Sequence, residues 1–186
     1  MTTYDLALSA LFTALIVALG IVPGIPLAAL PVPIHLQSLG VMLAGALLGP
    51  WRGTVSVLLL IALVMMGLPV LAGGRGGMGV LAGPTAGYLL GFIPAAFVTG
   101  LIVQRLVLPA GGPRWRLILG HALACIAGGI LIDHLCGVAW LVAVTGLPLA
   151  KAAWGTLLFV PGDLLKAAVA ATAAVAIRRV HPLAPK

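Results

Sequence analysis

The sequence predicts an all-α integral membrane protein: a six-transmembrane-helix bundle with structured outer loops between helices 1 and 2 and between helices 3 and 4. Three observations predict it. Apolar residues make up 62% of the 186-residue chain and charged residues 7%, where an ordinary globular protein carries about 25% charged residues. Mean hydropathy is +1.26. The apolar residues fall in runs near the length of about 20 residues that a spanning helix needs, with none of the alternation of a barrel strand. Lipid tolerates no open sheet edge, so helices remain. Residues 1–186 are expected to form one membrane-embedded unit.

Cut at its charges and Pro/Gly clusters, the chain yields six spans: Leu6–Val22, Leu36–Leu48, Thr54–Leu68, Pro84–Gln104, Leu117–Leu131 and Ala152–Ile177. Asp5 precedes the first run and no basic segment does, so helix 1 is expected to be kept rather than cleaved as a signal peptide. The second and third runs are short and flanked by glycine. The apolar stretch from Leu135 to Ala150 competes as a seventh span, and Lys/Arg asymmetry decides against it. With six spans and both termini cytoplasmic, Arg52, Arg105, Arg114, Arg116, Arg178, Arg179 and Lys186 lie inside, against Arg75 and Lys151 outside. A seventh crossing would send Arg178, Arg179 and Lys186 out. Residues 135–150 are therefore expected to be an extension or interfacial helix on the outer side.

Net charge is +7, which in a soluble chain would suggest a nucleic-acid partner. Here the basic residues are scattered at the ends of apolar runs, without a basic stripe or an aromatic platform, and no nucleic acid is expected. Their excess is an orientation signal for the lipid bilayer.

Two outer loops carry more structure than connectors require. Pro23 to Pro33 holds four prolines in eleven residues, which excludes a continuous helix and favours extended backbone. Gly73-Gly-Arg-Gly-Gly-Met-Gly79 is followed by Gly83-Pro84-Thr85. Both loops are apolar and nearly uncharged, as lids over a site would be. Small residues recur four apart at Ala10/Ala14, Gly45/Gly49, Gly83/Gly87 and Gly87/Gly91. Such pairs let helices approach closely, and only an outward-facing pair implies a partner.

Few polar residues are available for chemistry. Asp163 and Lys166 are i and i+3 on one helix face, deep in the last run between Lys151 and Arg178. Charges at that depth cost several kcal/mol, at about 2.5 or more each, and point inward to pair or to bind. Pro161 and Gly162 just upstream are expected to loosen the helix there, as in discontinuous transporter helices. Arg75 sits among glycines whose N–H groups can form an anion nest, with Pro84 placing a helix N-terminus beside it, a site suited to a carboxylate.

Other motifs fail on context. Gly74 to Gly79 matches G-x-G-x-x-G, but no acid follows at about 20 residues, and no Walker A sequence is present. Any ATP drive must come from another subunit. His121 and His134 would stand roughly 20 Å apart on one helix and cannot share a metal; Cys125 and Cys136, roughly 16 Å apart, are beyond disulfide reach. Asp133-His134 is expected to mark the outer end of span five as a satisfied interfacial pair. No zinc-protease or nucleophile-elbow motif occurs, so no metal and no catalytic residue is expected.

Val32-Pro-Ile-His-Leu-Gln37, Gly73-Gly-Arg-Gly-Gly77, Gly83-Pro-Thr-Ala-Gly-Tyr88-Leu-Leu-Gly-Phe92 and Pro161-Gly-Asp163-Leu-Leu-Lys166, in this order, closely resemble the biotin-specific S-component (BioY) family of energy-coupling-factor (ECF) transporters. The resemblance covers nearly the whole chain. It implies a multi-pass protein of the cytoplasmic membrane that captures biotin outside and takes it up as the substrate-specific subunit of an ABC-type transporter. The partners implied are a transmembrane coupling subunit and two ABC ATPases; biotin is cargo, and no cofactor or enzyme activity is implied. By the same resemblance Asp163 and Lys166 contact the fused-ring head of biotin, Arg75, Gln37 and Tyr88 line the substrate, and Ala10 and Ala14 dock on the coupling subunit. His35 and Ala86 depart from the family pattern, standing in place of Thr and Gly. Alternatives are an S-component for another small vitamin and, from a different class, an intramembrane enzyme using Asp133 and His134. Action alone, as a homo-oligomer, or only with the ATPase module stays open.

Overall fold

A computed structural model describes residues 1–26 and 30–180; the expected cytoplasmic placement of Lys186 lies outside them. The described residues are helical, without strands. Helix α1 spans Thr3–Ile21, α2 Gln37–Leu48, α3 Pro50–Met65, α4 Ala86–Ala110, α5 Arg114–Thr145, α6 Leu149–Thr156 and α7 Val160–Val180. Four of these, α1, α4, α5 and α7, are long and apolar enough to cross a membrane, while α2 and α3 are shorter.

Helix α2 is the axle. It packs against α1, α3, α4, α5 and α7, and almost every residue along it is buried. Small residues make this possible: a Cβ at Gly45 would fall 2.6 Å from the Ala96 carbonyl oxygen, and one at Gly40 2.8 Å from Ile16. Gly49 alone joins α2 to α3, with φ at +85°, a conformation other residues rarely adopt. Gly45 and Gly49 thus face inward. Gly87 and Gly91 do as well, since a Cβ at either would strike α5 at Trp140, Cys136 or Asp133.

Helix α1 presents two faces. Asp5, Ser9 and Thr13 form a buried polar stripe against α3. Asp5 caps its own helix with Thr2 and pairs with Arg52; Ser9 Oγ donates to the Arg52 carbonyl at 3.1 Å and Thr13 Oγ1 to that of Ser56 at 2.9 Å. On a neighbouring, outward face Ala10 and Ala14 are exposed. Arg178 on α7 donates from Nη2 to the carbonyls of Ala46 and Leu47, at 2.9 and 2.8 Å, which satisfies the last turn of α2.

Three expectations change. Helix α5 does not end near Leu131 but runs on to Thr145, so residues up to 145 are its extension. Asp133 and His134 consequently lie mid-helix, and Asp133 is buried, not at an interface. The last run is not one helix from Ala152: α6 stops at Thr156, turns follow at Leu157–Phe159, and α7 begins at Val160. Pro161 sits in the first turn, where its missing N–H costs nothing, and Asp163 occupies that turn too, favoured by the N-terminal end of the dipole. The break falls before Pro161 instead of in mid-span.

Removing one partner of a buried pair leaves the other charge uncompensated, at a cost of about 3–5 kcal/mol. Arg52→Leu is therefore expected to lower the melting temperature of the detergent-solubilised protein markedly, read by intrinsic fluorescence. An unchanged melting temperature would contradict the role of the α1–α3 seam.

Candidate substrate-binding site

The α1–α2 loop, the α3–α4 loop and the α5–α7 connection gather at one end of the bundle. In the first loop Ile25 and Ile34 exchange two backbone hydrogen bonds of 2.8 Å each, the extended geometry that its prolines favour. In the second, Leu71 and Arg75 exchange backbone hydrogen bonds around Gly73 and Gly74, with φ at +79° and +69°. Leu30 and Val32 of the first loop join Tyr88, Leu141, Ala152 and Phe159 in one apolar cluster.

Beneath the loops lie two adjoining chambers of about 20 Å³ each, which share Val32, Pro33, His35 and Tyr88 as walls. The first is lined further by Gln37, Arg75, Thr85 and Phe92. The second is lined by Ser38, Asp133, His134, Phe159, Asp163 and Lys166. The structure therefore places Arg75 and Gln37 on the first chamber, Asp163 and Lys166 on the second, and Tyr88 on the wall they share. A third space of about 380 Å³ opens between the two loops and shares Val32, Pro33 and Arg75 with the first chamber.

The second chamber is built on charge. Lys166 Nζ donates to Asp163 Oδ1 at 2.7 Å and to Ser38 Oγ at 3.1 Å. His134 Nε2 lies 3.0 Å from the other oxygen, Asp163 Oδ2. Three helices, α2, α5 and α7, thus meet at one ion pair. An ammonium has three N–H donors, so Lys166 keeps one beyond these two bonds. Asp133 also lines this chamber, with Oδ1 buried and without a hydrogen-bond partner where it packs against Gly91 of α4. Tyr88, His134 and Phe159 make edge-to-face contacts with ring centroids 6.0–6.2 Å apart, an aromatic wall suited to a flat or bicyclic body. The Tyr88 hydroxyl donates to Thr156 Oγ1 at 2.8 Å, since Thr156 gives its own proton to the Ala152 carbonyl.

The first chamber is built on the loops. Arg75 donates from Nε to the Ala72 carbonyl at 3.2 Å and from Nη1 to Thr85 Oγ1 at 3.3 Å, which sets its guanidinium beside the start of α4. Gln37 lines this chamber, yet its amide is engaged with backbone: Nε2 donates to Ile16 and Val70 carbonyls at 3.3 and 3.0 Å, and Oε1 accepts from Ala72 N–H at 3.0 Å. It ties α1 and the second loop to α2.

Among the polar and aromatic lining residues, His35, Ser38, Thr85, Phe92 and Phe159 were not singled out from the sequence for binding, and Asp133 and His134 were read as a pair marking the end of span five. The signal for Asp133 and His134 was present, since an acid and an imidazole in the middle of a continuous apolar run are as costly as Asp163 and Lys166. His121, by contrast, spends Nδ1 on the Leu117 carbonyl at 2.8 Å, away from the chambers. Cys125 and Cys136 are unbonded thiols.

Helices α2, α5 and α7 meeting at a charged chamber under two folded loops give a helical membrane protein with an arrangement suited to a small polar ligand. Comparison with known proteins gives the particular family. The BioY family profile matches residues 1–183. The chain is 49% identical to the biotin transporter BioY of Rhizobium etli, over all of this chain and 98% of that one. It is 51% identical to the biotin transporter BioY of Rhodobacter capsulatus, over 97% and 96%. Its fold superposes with a TM-score of 0.88 on the crystal structure of the S-component for biotin from an ECF-type ABC transporter, at 36% identity over 96% of this chain and 95% of that one. The chain belongs to the BioY family, and it is a multi-pass membrane protein with the S-component fold.

Burial, together with the positive charges of Lys166 and Arg75, pushes the His35 imidazole down to about 4 from 6.5, with Asp163 opposing. His35 is thus neutral in the folded protein at neutral pH. Between pH 6.5 and about 4 the unfolded chain takes up a proton that the folded one excludes, so stability falls with falling pH across that window. His35→Gln is expected to flatten that fall, measured as melting temperature at about pH 7.5 and about pH 4.5. An equal fall in both proteins would contradict the assignment.

Proposed function

We propose that this chain captures biotin at the loop end of the bundle and takes it up as the substrate-specific subunit of an ECF transporter. The observation that carries the reading is the Asp163–Lys166 pair, 2.7 Å apart and turned into a chamber rather than toward lipid. The ureido group of biotin has two N–H donors and one carbonyl. Lys166 has a donor left for that carbonyl, and the Asp163 carboxylate, with lone pairs beyond its bonds to Lys166 and His134, has acceptor capacity for the N–H groups. Tyr88, His134 and Phe159 flank the fused rings. The aliphatic tail follows Val32, Leu89 and Phe92, and its carboxylate reaches Arg75. Gln37 acts by holding the Arg75 loop.

Chambers of about 20 Å³ are the size of about one water molecule, so the loops must part for biotin to enter. The space between them, with Arg75 at its base, is the entry route. The whole chain works as one membrane-embedded unit of six crossings in the cytoplasmic membrane with both termini inside. Helix α2 is short for a crossing, but burial within the bundle removes its need to match the hydrocarbon thickness. Arg105, Arg114, Arg116 and Arg179 then gather on the cytoplasmic side, as the positive-inside rule requires.

Ala10 and Ala14 are the outward-facing pair among the small-residue pairs, and they supply a surface for close helix approach. The occupant proposed is the transmembrane coupling subunit, which carries the two ATPases.

Asp163→Asn and Lys166→Ala are each expected to weaken biotin binding at least about 100-fold in titration calorimetry on purified protein. Riboflavin and thiamine should not compete with biotin in the wild type. Undiminished affinity in both variants, or competition by either vitamin, would overturn the reading. For the coupling surface, Ala10→Trp or Ala14→Trp is expected to stop uptake by the assembled transporter while the isolated chain still binds biotin. Uptake at the wild-type rate would remove the docking role.

A further inference from the structure

At the end of the bundle remote from the chambers, an apolar groove of about 510 Å³ runs along the seam of α4 and α5, within the ~300–1,000 Å³ range of ligand sites. Its α5 wall is Arg116, Leu119, Gly120, Leu123 and Ala127, spacings that keep one helix face over about 16 Å of axis. Its α4 wall lies on the wide π-type turn Val103–Val107 and the residues beside it. Leu106 and Leu123 on its rim are 65% and 56% exposed, and Trp115, 67% exposed, stands where an interfacial aromatic belongs.

The polar end of the groove carries an excess of positive charge. Arg105, Arg114 and Arg116 are all exposed within twelve residues. The chain has only three acidic side chains. Asp5 pairs with Arg52, Asp163 with Lys166, and Asp133 is buried at the second chamber. No carboxylate side chain of this protein is therefore left to neutralise the three arginines. An apolar trough with an arginine at its head matches an amphiphile with an anionic head, and basic pockets between spanning helices bind such headgroups.

We propose that this groove is a binding site for an anionic phospholipid, one acyl chain lying against Leu106, Leu119 and Leu123 and the phosphate beside Arg116.

The test is native mass spectrometry of the full-length purified protein with equimolar phosphatidylglycerol and phosphatidylcholine of identical chains. Phosphatidylglycerol is expected to be retained at least about five-fold over phosphatidylcholine, a preference of about 1 kcal/mol by the tenfold-per-1.4 rule. Arg116→Gln should reduce that ratio to near one, with an unchanged melting temperature in lipid-free detergent. Leu123→Trp, which fills the trough and keeps the charges, should reduce retention of both lipids. Equal retention of the two lipids by the wild type would overturn the proposal. So would full displacement of the lipid by millimolar inorganic phosphate, which would mean a headgroup site without a chain. A wild-type ratio in Arg116→Gln would also overturn it and leave the arginines to an acidic protein partner.

Discussion

A carboxylate and an ammonium held inside an apolar bundle set the terms for the rest of this structure. Neither charge is tolerable there alone, and each is costly even when paired unless the remaining donors and acceptors are met. The fold meets them from three directions. Helix α7 starts at Val160, so that Asp163 falls in its first turn; α2 supplies Ser38 and α5 supplies His134. One N–H of Lys166 and one oxygen of Asp133 remain over. In the proposed reading the free Lys166 donor is what a ureido carbonyl completes, which would account for a polar cluster in a chain otherwise so apolar.

The two ends of the bundle are built for different work. At one end the loops, Tyr88 and the chambers share walls, and Gln37 fastens the second loop to α1 and α2 through three backbone contacts. At the other end the polar groups serve helix ends and seams: Asp5 with Arg52, and Arg178 on the last carbonyls of α2. Helix α1 joins both ends, with its polar stripe buried against α3 and its alanine stripe exposed. Ligand binding and subunit docking can therefore use separate faces of one rigid set of helices.

Much of this was legible because lipid makes charge informative. Asp163, Lys166 and Arg75 stood out as ions where hydrophobic sequence gave them no ordinary reason to be, and the chambers contain all three. The helix ends were harder to read. Leu157-Leu158-Phe159 is as apolar as the helices it separates, so hydropathy ran straight through the turn, and Pro161 was read as a mid-helix break instead of a first-turn residue. Asp133-His134 misled for the opposite reason. A charge was taken to mean water, whereas α5 carries the pair through the middle of the bundle and presents His134 to a carboxylate on α7. Contact between residues twenty-nine positions apart depends on how α5 and α7 pack, which periodicity does not encode. Gln37 marks another limit: its place in a motif pointed to the chamber, but its partnership with the backbone of Val70 and Ala72 required the loop to be folded.

The most direct test of the central claim is the isotope-edited infrared spectrum of biotin labelled with ¹³C at the ureido carbonyl and bound to the intact protein. A charged donor on that oxygen strengthens its hydrogen bond beyond what water provides, so the carbonyl band of bound biotin is predicted to lie at lower frequency than that of free biotin in water. A band at or above the aqueous frequency would mean that the carbonyl has exchanged water for an apolar wall, and would contradict the account in which Lys166, paired with Asp163, is held in the bundle to donate to it.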